Sequence, residues 1–337
     1  MTPHPHHPTP VAVSIRASRS FLLAASLAVA PIAVAPVAVA PLAAQPFPPP
    51  SDSVTSALMQ RLSVLAADSM EGRRTATPGS ARARAYLVQQ LHAMGVRPVG
   101  ARFEHPFRFR ARGAAGADSM AGVNIVARIP GRSGSGRALV LSAHYDHLGV
   151  RNGEIFNGAD DDASGCVALL TVAERLMRAP PQHDVVLVFF DAEEMGLQGA
   201  RAFVSAPPIP LENIAANLNL DMVARQDAGA LWVAGTSHYP FLKPLAEAAS
   251  AASTVTVRFG HDTRDLKPGD DWTGSSDHSA FHAKGIPFLY LGVEDHPDYH
   301  KPGDDVDKVD PAFYRRSVEF AAALVRQLDG ALATFTR

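Results

Sequence analysis

Asp184-Val185-Val186-Leu187-Val188-Phe189-Phe190-Asp191-Ala192-Glu193-Glu194 is the stretch that decides the fold. Its apolar run is unbroken from Val185 to Phe190, without the alternation of a strand that has one wet face. That pattern suits a strand buried on both sides. A strand covered twice belongs to a sheet with helices on either face, and it ends here in a burst of carboxylates.

Working outward, the same alternation of strand and helix recurs. Extended segments are expected at 103–110, 122–129 and 138–143, then a helix over 164–177 before the central run. A helix follows Gly196, strands come at 216–220 and 230–234, and a helix at 239–251 leads to a strand at 254–259. A short helix at 276–284 precedes a strand at 287–291. Two helices come first: one at 51–67, and one at 78–94 closed by Gly95. The last helix opens with Asp310 as its cap and Pro311 in its first turn. The fold class is therefore α/β, a three-layer sandwich whose central mixed, largely parallel sheet is flanked by helices.

The start of the chain reads differently. Arg16 and Arg19 precede an apolar run from Phe21 to about Ala43, with small residues near Ala44. Residues 1–44 thus read as a secretory signal peptide, 45–54 as a Pro-rich linker and 55–335 as a single domain. Pro31, Pro36 and Pro41 argue against a regular membrane-spanning helix, so no stable membrane association is expected after cleavage. The protein is expected to be exported, periplasmic or extracellular. Cys166 is the only cysteine, so no intramolecular disulfide is available and the core must stabilise itself. A net charge of −2 provides no basic footprint for nucleic acid.

The chemistry gathers where strands end, which is where open α/β sheets place their sites. The strand at 139–141 runs into His144-Tyr145-Asp146-His147. Asp160-Asp161-Asp162 opens a helix through Ser164-Gly165, the central strand delivers Glu193-Glu194, and another delivers Asp221. His296-Pro297-Asp298-Tyr299-His300 follows the last strand. Singly, each has an ordinary structural explanation, since aspartates cap helices and glutamates open them. Together they place histidines and carboxylates on one edge of the sheet. Nitrogen and oxygen donors without thiolates suit Zn²⁺ in a hydrolytic role. The number of carboxylates exceeds what one ion needs, which points to two ions sharing a carboxylate. Adjacent Glu193 and Glu194 allow one to bind metal while the other moves a proton.

These motifs, in this order, resemble the dinuclear zinc aminopeptidase family, whose wider relatives include folate-type carboxypeptidases, glutaminyl cyclases and the transferrin receptor ectodomain. Glu71-Gly72-Arg73 and the helix around Tyr86 add to the resemblance, which spans about residues 55–330. It implies a zinc exopeptidase domain, most simply an aminopeptidase acting on peptides with a free terminus, with two Zn²⁺ per chain. It implies further that His144 and Asp221 hold one ion, Glu194 and His300 the other, and that Asp161 bridges them. Glu193 is implied as the general base, Asp146 as the partner that orients His144, and Tyr299 as a hydrogen-bond donor to the oxyanion. His147 is near the site in sequence but is not counted among the ligands.

Other readings share these residues. A carboxypeptidase or dipeptidase needs a cation for the substrate carboxylate, with Arg225 and Arg264 as candidates. A glutaminyl cyclase would use one zinc, and a receptor-like domain would dispense with the base or some ligands. Ser276-Asp277-His278 cannot make a hydrolase triad from three adjacent residues; a capping Ser276 and an Asp277–His278 contact are expected instead. Cys166 is expected to pack, and the loop 260–274 with Trp272 to border the substrate pocket.

Overall fold

The computed structural model describes residues 52–110, 119–263, 265–267 and 269–335. The expected export segment and most of the linker lie outside these residues, as does Arg264. Among the described residues, no helix is long and apolar enough to cross a membrane.

The elements run α1 (Asp52–Leu65), α2 (Pro78–Ala93), β1 (Arg97–Pro98), β2 (Glu104–Arg110), β3 (Ser119–Ile129) and β4 (Ala138–His144). A hairpin of β5 (Gly149–Arg151) and β6 (Glu154–Phe156) follows, then α3 (Gly165–Arg178), β7 (Asp184–Phe190), α4 (Gln198–Ser205) and β8 (Ile214–Leu220). The chain continues through β9 (Leu231–Ala234), α5 (Lys243–Ala251), β10 (Val257–Phe259), α6 (His278–His282), β11 (Phe288–Gly292) and α7 (Pro311–Ala331). Helix α1 begins at Asp52, ahead of the expected domain start at 55. Thr77 caps α2 by accepting from the Ser80 N–H, and Asp310 caps α7 by accepting from Ala312 and Phe313. Strand β10 and helix α6 are shorter than the sequence pattern suggested, and β1 and the hairpin carry no periodicity that marks them.

The main sheet orders its strands β1-β3-β7-β4-β8-β11-β9-β10, with β2 also paired to β3. Its centre, β7-β4-β8-β11, is parallel throughout, while the pairs made by β3 and the β11–β9 pair are antiparallel. The central run behaves as its composition requires. Val185, Leu187 and Phe189 pack on one face with α1, α2, α3, α5 and α7; Val186, Val188 and Phe190 pack on the other with α4 and α6. Two dry faces explain why β7 carries no polar residue after Asp184. Because the four central strands run the same way, their carboxyl ends open on one edge, and every expected site segment reaches the cavity there.

Candidate active site

The edge above β7, β4, β8 and β11 holds a cavity of about 320 Å³ lined by His144, Asp161, Glu193, Glu194, Asp221 and His300, with Trp272, Tyr290 and Tyr299. A larger depression of about 480 Å³ lies along β2 and α4, but no set of convergent histidines and carboxylates lines it. The chemistry is at the strand ends.

His144 is the last residue of β4 and is buried. Its Nε2 lies 3.2 Å from Asp161 Oδ1 and 3.5 Å from Asp221 Oδ1. The other oxygen of Asp161, Oδ2, lies 3.0 Å from His300 Nε2, which is itself 3.3 Å from Glu194 Oε2. Asp161 thus turns one oxygen to each of two groups. Within the described residues two sets of donor atoms are close enough to hold a cation: His144, Asp161 and Asp221, and His147, Asp161 and Glu194.

The three consecutive aspartates divide their work. Asp162 accepts from the backbone N–H of His144, Gly165 and Met222, so it ties β4, α3 and the end of β8 together. Asp160 accepts from Ala224 N–H and the Ser164 hydroxyl. Asp304 accepts from the N–H groups of Asp160 and Asp161. Asp161 alone of the three lines the cavity. The peptide between Asp161 and Asp162 is cis.

Under this loop lies a residue whose purpose the sequence hid. Arg73 is fully buried and donates to the carbonyls of Tyr145, Leu65, Asn157, Gly158 and Asp161. One guanidinium therefore satisfies the carbonyls of both loops that carry the site, which a buried backbone requires.

Asp146 lies beyond the end of β4 rather than on it. His144 Nδ1 is 3.0 Å from the Asp146 carbonyl and 3.7 Å from its carboxylate, so the main chain is the nearer partner. The Asp146 carboxylate instead accepts from the Glu193 N–H at 3.0 Å and from the Thr75 hydroxyl at 3.3 Å. Burial pushes the Glu193 carboxyl well above the ordinary range; His144 opposes this, while Asp277, Asp221 and Glu194 add to it. Tyr299 stacks on His300 with ring centres 4.0 Å apart, and burial raises its hydroxyl pKa.

Several placements differ from expectation. His147, set aside from the sequence, puts Nδ1 2.7 Å from Glu194 Oε1. Asp277 and His278 share no side-chain hydrogen bond: His278 Nε2 meets the Trp272 carbonyl at 2.8 Å, and both Asp277 oxygens are buried without a hydrogen-bond partner among the described residues. Ser276 accepts from the Asn219 side chain instead of capping α6. Arg225 is bound to Asp227 and Asp298, away from the cavity lining. Tyr290, which had no motif to mark it, lines the cavity and donates to the Asp221 carbonyl. Cys166 is buried with its thiol 3.1 Å from the His144 carbonyl. Gly269, Asp270 and Trp272 of the 260–274 loop border the cavity.

Sequence and fold comparisons agree with this geometry. The model of peptidase family M28 matches residues 124–325, so the chain belongs to that family. It is 29% identical over 197 residues to aminopeptidase YwaD of Bacillus subtilis, covering 55% of this chain and 40% of that protein. It is 27% identical over 203 residues to a probable leucine aminopeptidase of Arthroderma otae, covering 56% and 53%. The chain thus spans about half, or less, of the length of these curated relatives. A zinc aminopeptidase from Bacillus subtilis superposes with a TM-score of 0.65 at 15% identity, over 80% of this chain and 94% of that one. A glutaminyl cyclase from Bacteroides thetaiotaomicron superposes at 0.64 with 17% identity, over 81% and 97%. These two establish the shared fold.

Proposed function

We propose that this protein is a zinc aminopeptidase whose cavity holds two ions, one between His144 and Asp221 and one between Glu194 and His300, with Asp161 joining them. The observation that carries this is Asp161 itself, whose two carboxylate oxygens face two separate donor sets. The donors fit zinc, being imidazole and carboxylate without thiolate. They also fit in spacing. Ligand atoms about 2.0–2.1 Å from a tetrahedral ion lie about 3.3 Å from one another, and the separations here are 3.2, 3.5, 3.0 and 3.3 Å.

Zinc held there would lower the pKa of a water and polarise the scissile carbonyl. Glu193 takes the proton of that water and returns it to the departing amine. Its half-buried place on the cavity wall, where desolvation favours the protonated carboxyl, suits a group that takes and returns a proton, and Asp146 fixes its backbone by accepting the N–H. Tyr299 is the side chain placed to donate to the developing oxyanion.

The cavity wall favours the amino end of a peptide. Asp270, Glu294 and Asp295 line it beside the central carboxylates, and no Lys or Arg among the described residues does so. An ammonium terminus is welcomed there, whereas a terminal carboxylate lacks a partner. Arg225, the described candidate for that partner, is already engaged. The Arg16–Ala44 pattern supports export as the setting of the activity.

The test is hydrolysis of aminoacyl-chromophore substrates by the purified mature protein, with N-acetylated analogues and an N-terminal glutaminyl peptide as controls. Release from free amino substrates, loss on chelation and recovery with zinc support the reading. Cyclisation of the glutaminyl peptide without release, or cleavage only from the carboxyl end, overturns it.

A further inference from the structure

His147 has no place in the ligand set above, yet its surroundings are those of a ligand. The imidazole side chain is wholly enclosed. Its Nδ1 lies 2.7 Å from Glu194 Oε1 and 3.7 Å from Asp161 Oδ2. The shorter approach is not aligned as a hydrogen bond: Nδ1, Nε2 and Glu194 Oε1 are all buried without a hydrogen-bond partner among the described residues. Buried polar atoms are rarely left so, because each costs about 1–3 kcal/mol. Together with an Asp161 oxygen, the His147 and Glu194 ligand atoms lie close enough to one another to hold a single cation. The ring is also held in place from behind. A Cβ on Gly158 would come within 2.5 Å of His147 Cδ2, so the glycine backbone is the wall against which the imidazole packs.

We infer that His147 is a direct ligand, through Nδ1, of the cation on the Glu194 side. The inference rests on the two-ion reading, and it makes the pair unequal. His147, Asp161, Glu194 and His300 give that side four protein donors; His144, Asp161 and Asp221 give the other three. Four donors complete a tetrahedral zinc shell, while three leave a position for water. The Glu194 side is then the anchoring site and the His144 side the open one.

Two measurements test this on the mature, full-domain protein. The first uses cobalt(II)-loaded wild type and proton NMR: three sets of hyperfine-shifted imidazole signals are expected, from His144, His147 and His300. Two sets overturn the proposal without any variant having to fold. The second is zinc affinity by competition with a chromophoric chelator for wild type, His147→Ala and His147→Gln. One of two sites should weaken by about 100-fold or more, with the other unchanged. Two sites of unaltered affinity in both variants sink the ligand role of His147 alone. A wild type that binds no zinc sinks the two-ion reading and takes this inference with it. If wild type binds a single zinc, the two-ion reading fails, and that zinc's loss or retention in both variants supports or overturns the role of His147.

Discussion

The two sides of the centre are built from different materials. His144 and Asp221 stand at the ends of the adjacent parallel strands β4 and β8, and both are buried. Asp162 braces them through the N–H groups of His144 and Met222, and the Tyr290 hydroxyl holds the Asp221 carbonyl. Glu194 and His300 stand on loops beyond β7 and β11. The His300 side chain is 39% exposed, and its backbone sits in the left-handed region at φ 55°. The first side inherits its geometry from hydrogen-bonded strands. The second is assembled by loops, with the enclosed His147 side chain set against Glu194.

Asp161 belongs to both sides, so replacing it should break the comparison altogether. Asp161→Ala is expected to bind neither ion firmly and to lose about 10³-fold or more in kcat/KM. Zinc content by elemental analysis checks the first claim and initial rates the second. Glu193→Gln should leave both sides intact: unchanged zinc content, with kcat lower by about 10²–10⁴-fold. Retention of wild-type turnover would remove Glu193 from the proton path.

Asp146→Asn separates support of the base from support of the ligand. The imidazole of His144 keeps its nearer partner, the Asp146 carbonyl, so zinc affinity on that side should hold. The N–H of Glu193 loses a charged acceptor, and kcat should drop by about 10–100-fold. A larger fall in affinity than in kcat would assign the carboxylate to His144 instead.

The mildest effect concerns the wall behind the strand-built side. His278 packs against Phe288 and Tyr290, and burial lowers its pKa from 6.5 to about 3. It is neutral in the folded chain and takes up a proton on unfolding below about pH 6.5, so the unfolded state binds more protons. Stability contributed by His278 is therefore complete above that pH and is lost as pH falls towards 3, by roughly 1.4 kcal/mol per unit at most. Chemical denaturation of the metal-free protein at pH 7 and 5 should show a shallower decline for His278→Gln than for wild type. Equal declines would mean that other groups carry the acid sensitivity.

How much of this was legible beforehand follows the same division. The unbroken run in β7 announced a doubly covered strand, and residues at or just beyond the ends of such strands, His144, Glu193, Glu194 and Asp221, could be read as a convergent set because parallel neighbours share an edge. Asp161 and His300 needed the family resemblance, since spacing alone does not say which aspartate of three faces the cavity. What separates them is a set of backbone N–H groups, brought by Met222, Ala224 and Gly165, that meets Asp160 and Asp162 only in the folded chain. Arg73 and Tyr290 stayed hidden for a related reason. Their partners are main-chain carbonyls, and a carbonyl leaves no mark on the sequence. His147 follows Asp146 directly, on a loop whose course the pattern of residues does not determine.

The central claim, two ions joined by Asp161, is tested most directly by anomalous scattering at the zinc edge from crystals of the zinc-loaded protein. Two peaks about 3.5–4 Å apart, one beside Asp161 Oδ1 with His144 and Asp221 and one beside Oδ2 with Glu194 and His300, are expected. A single peak, or two peaks not shared by the Asp161 carboxylate, would contradict the account.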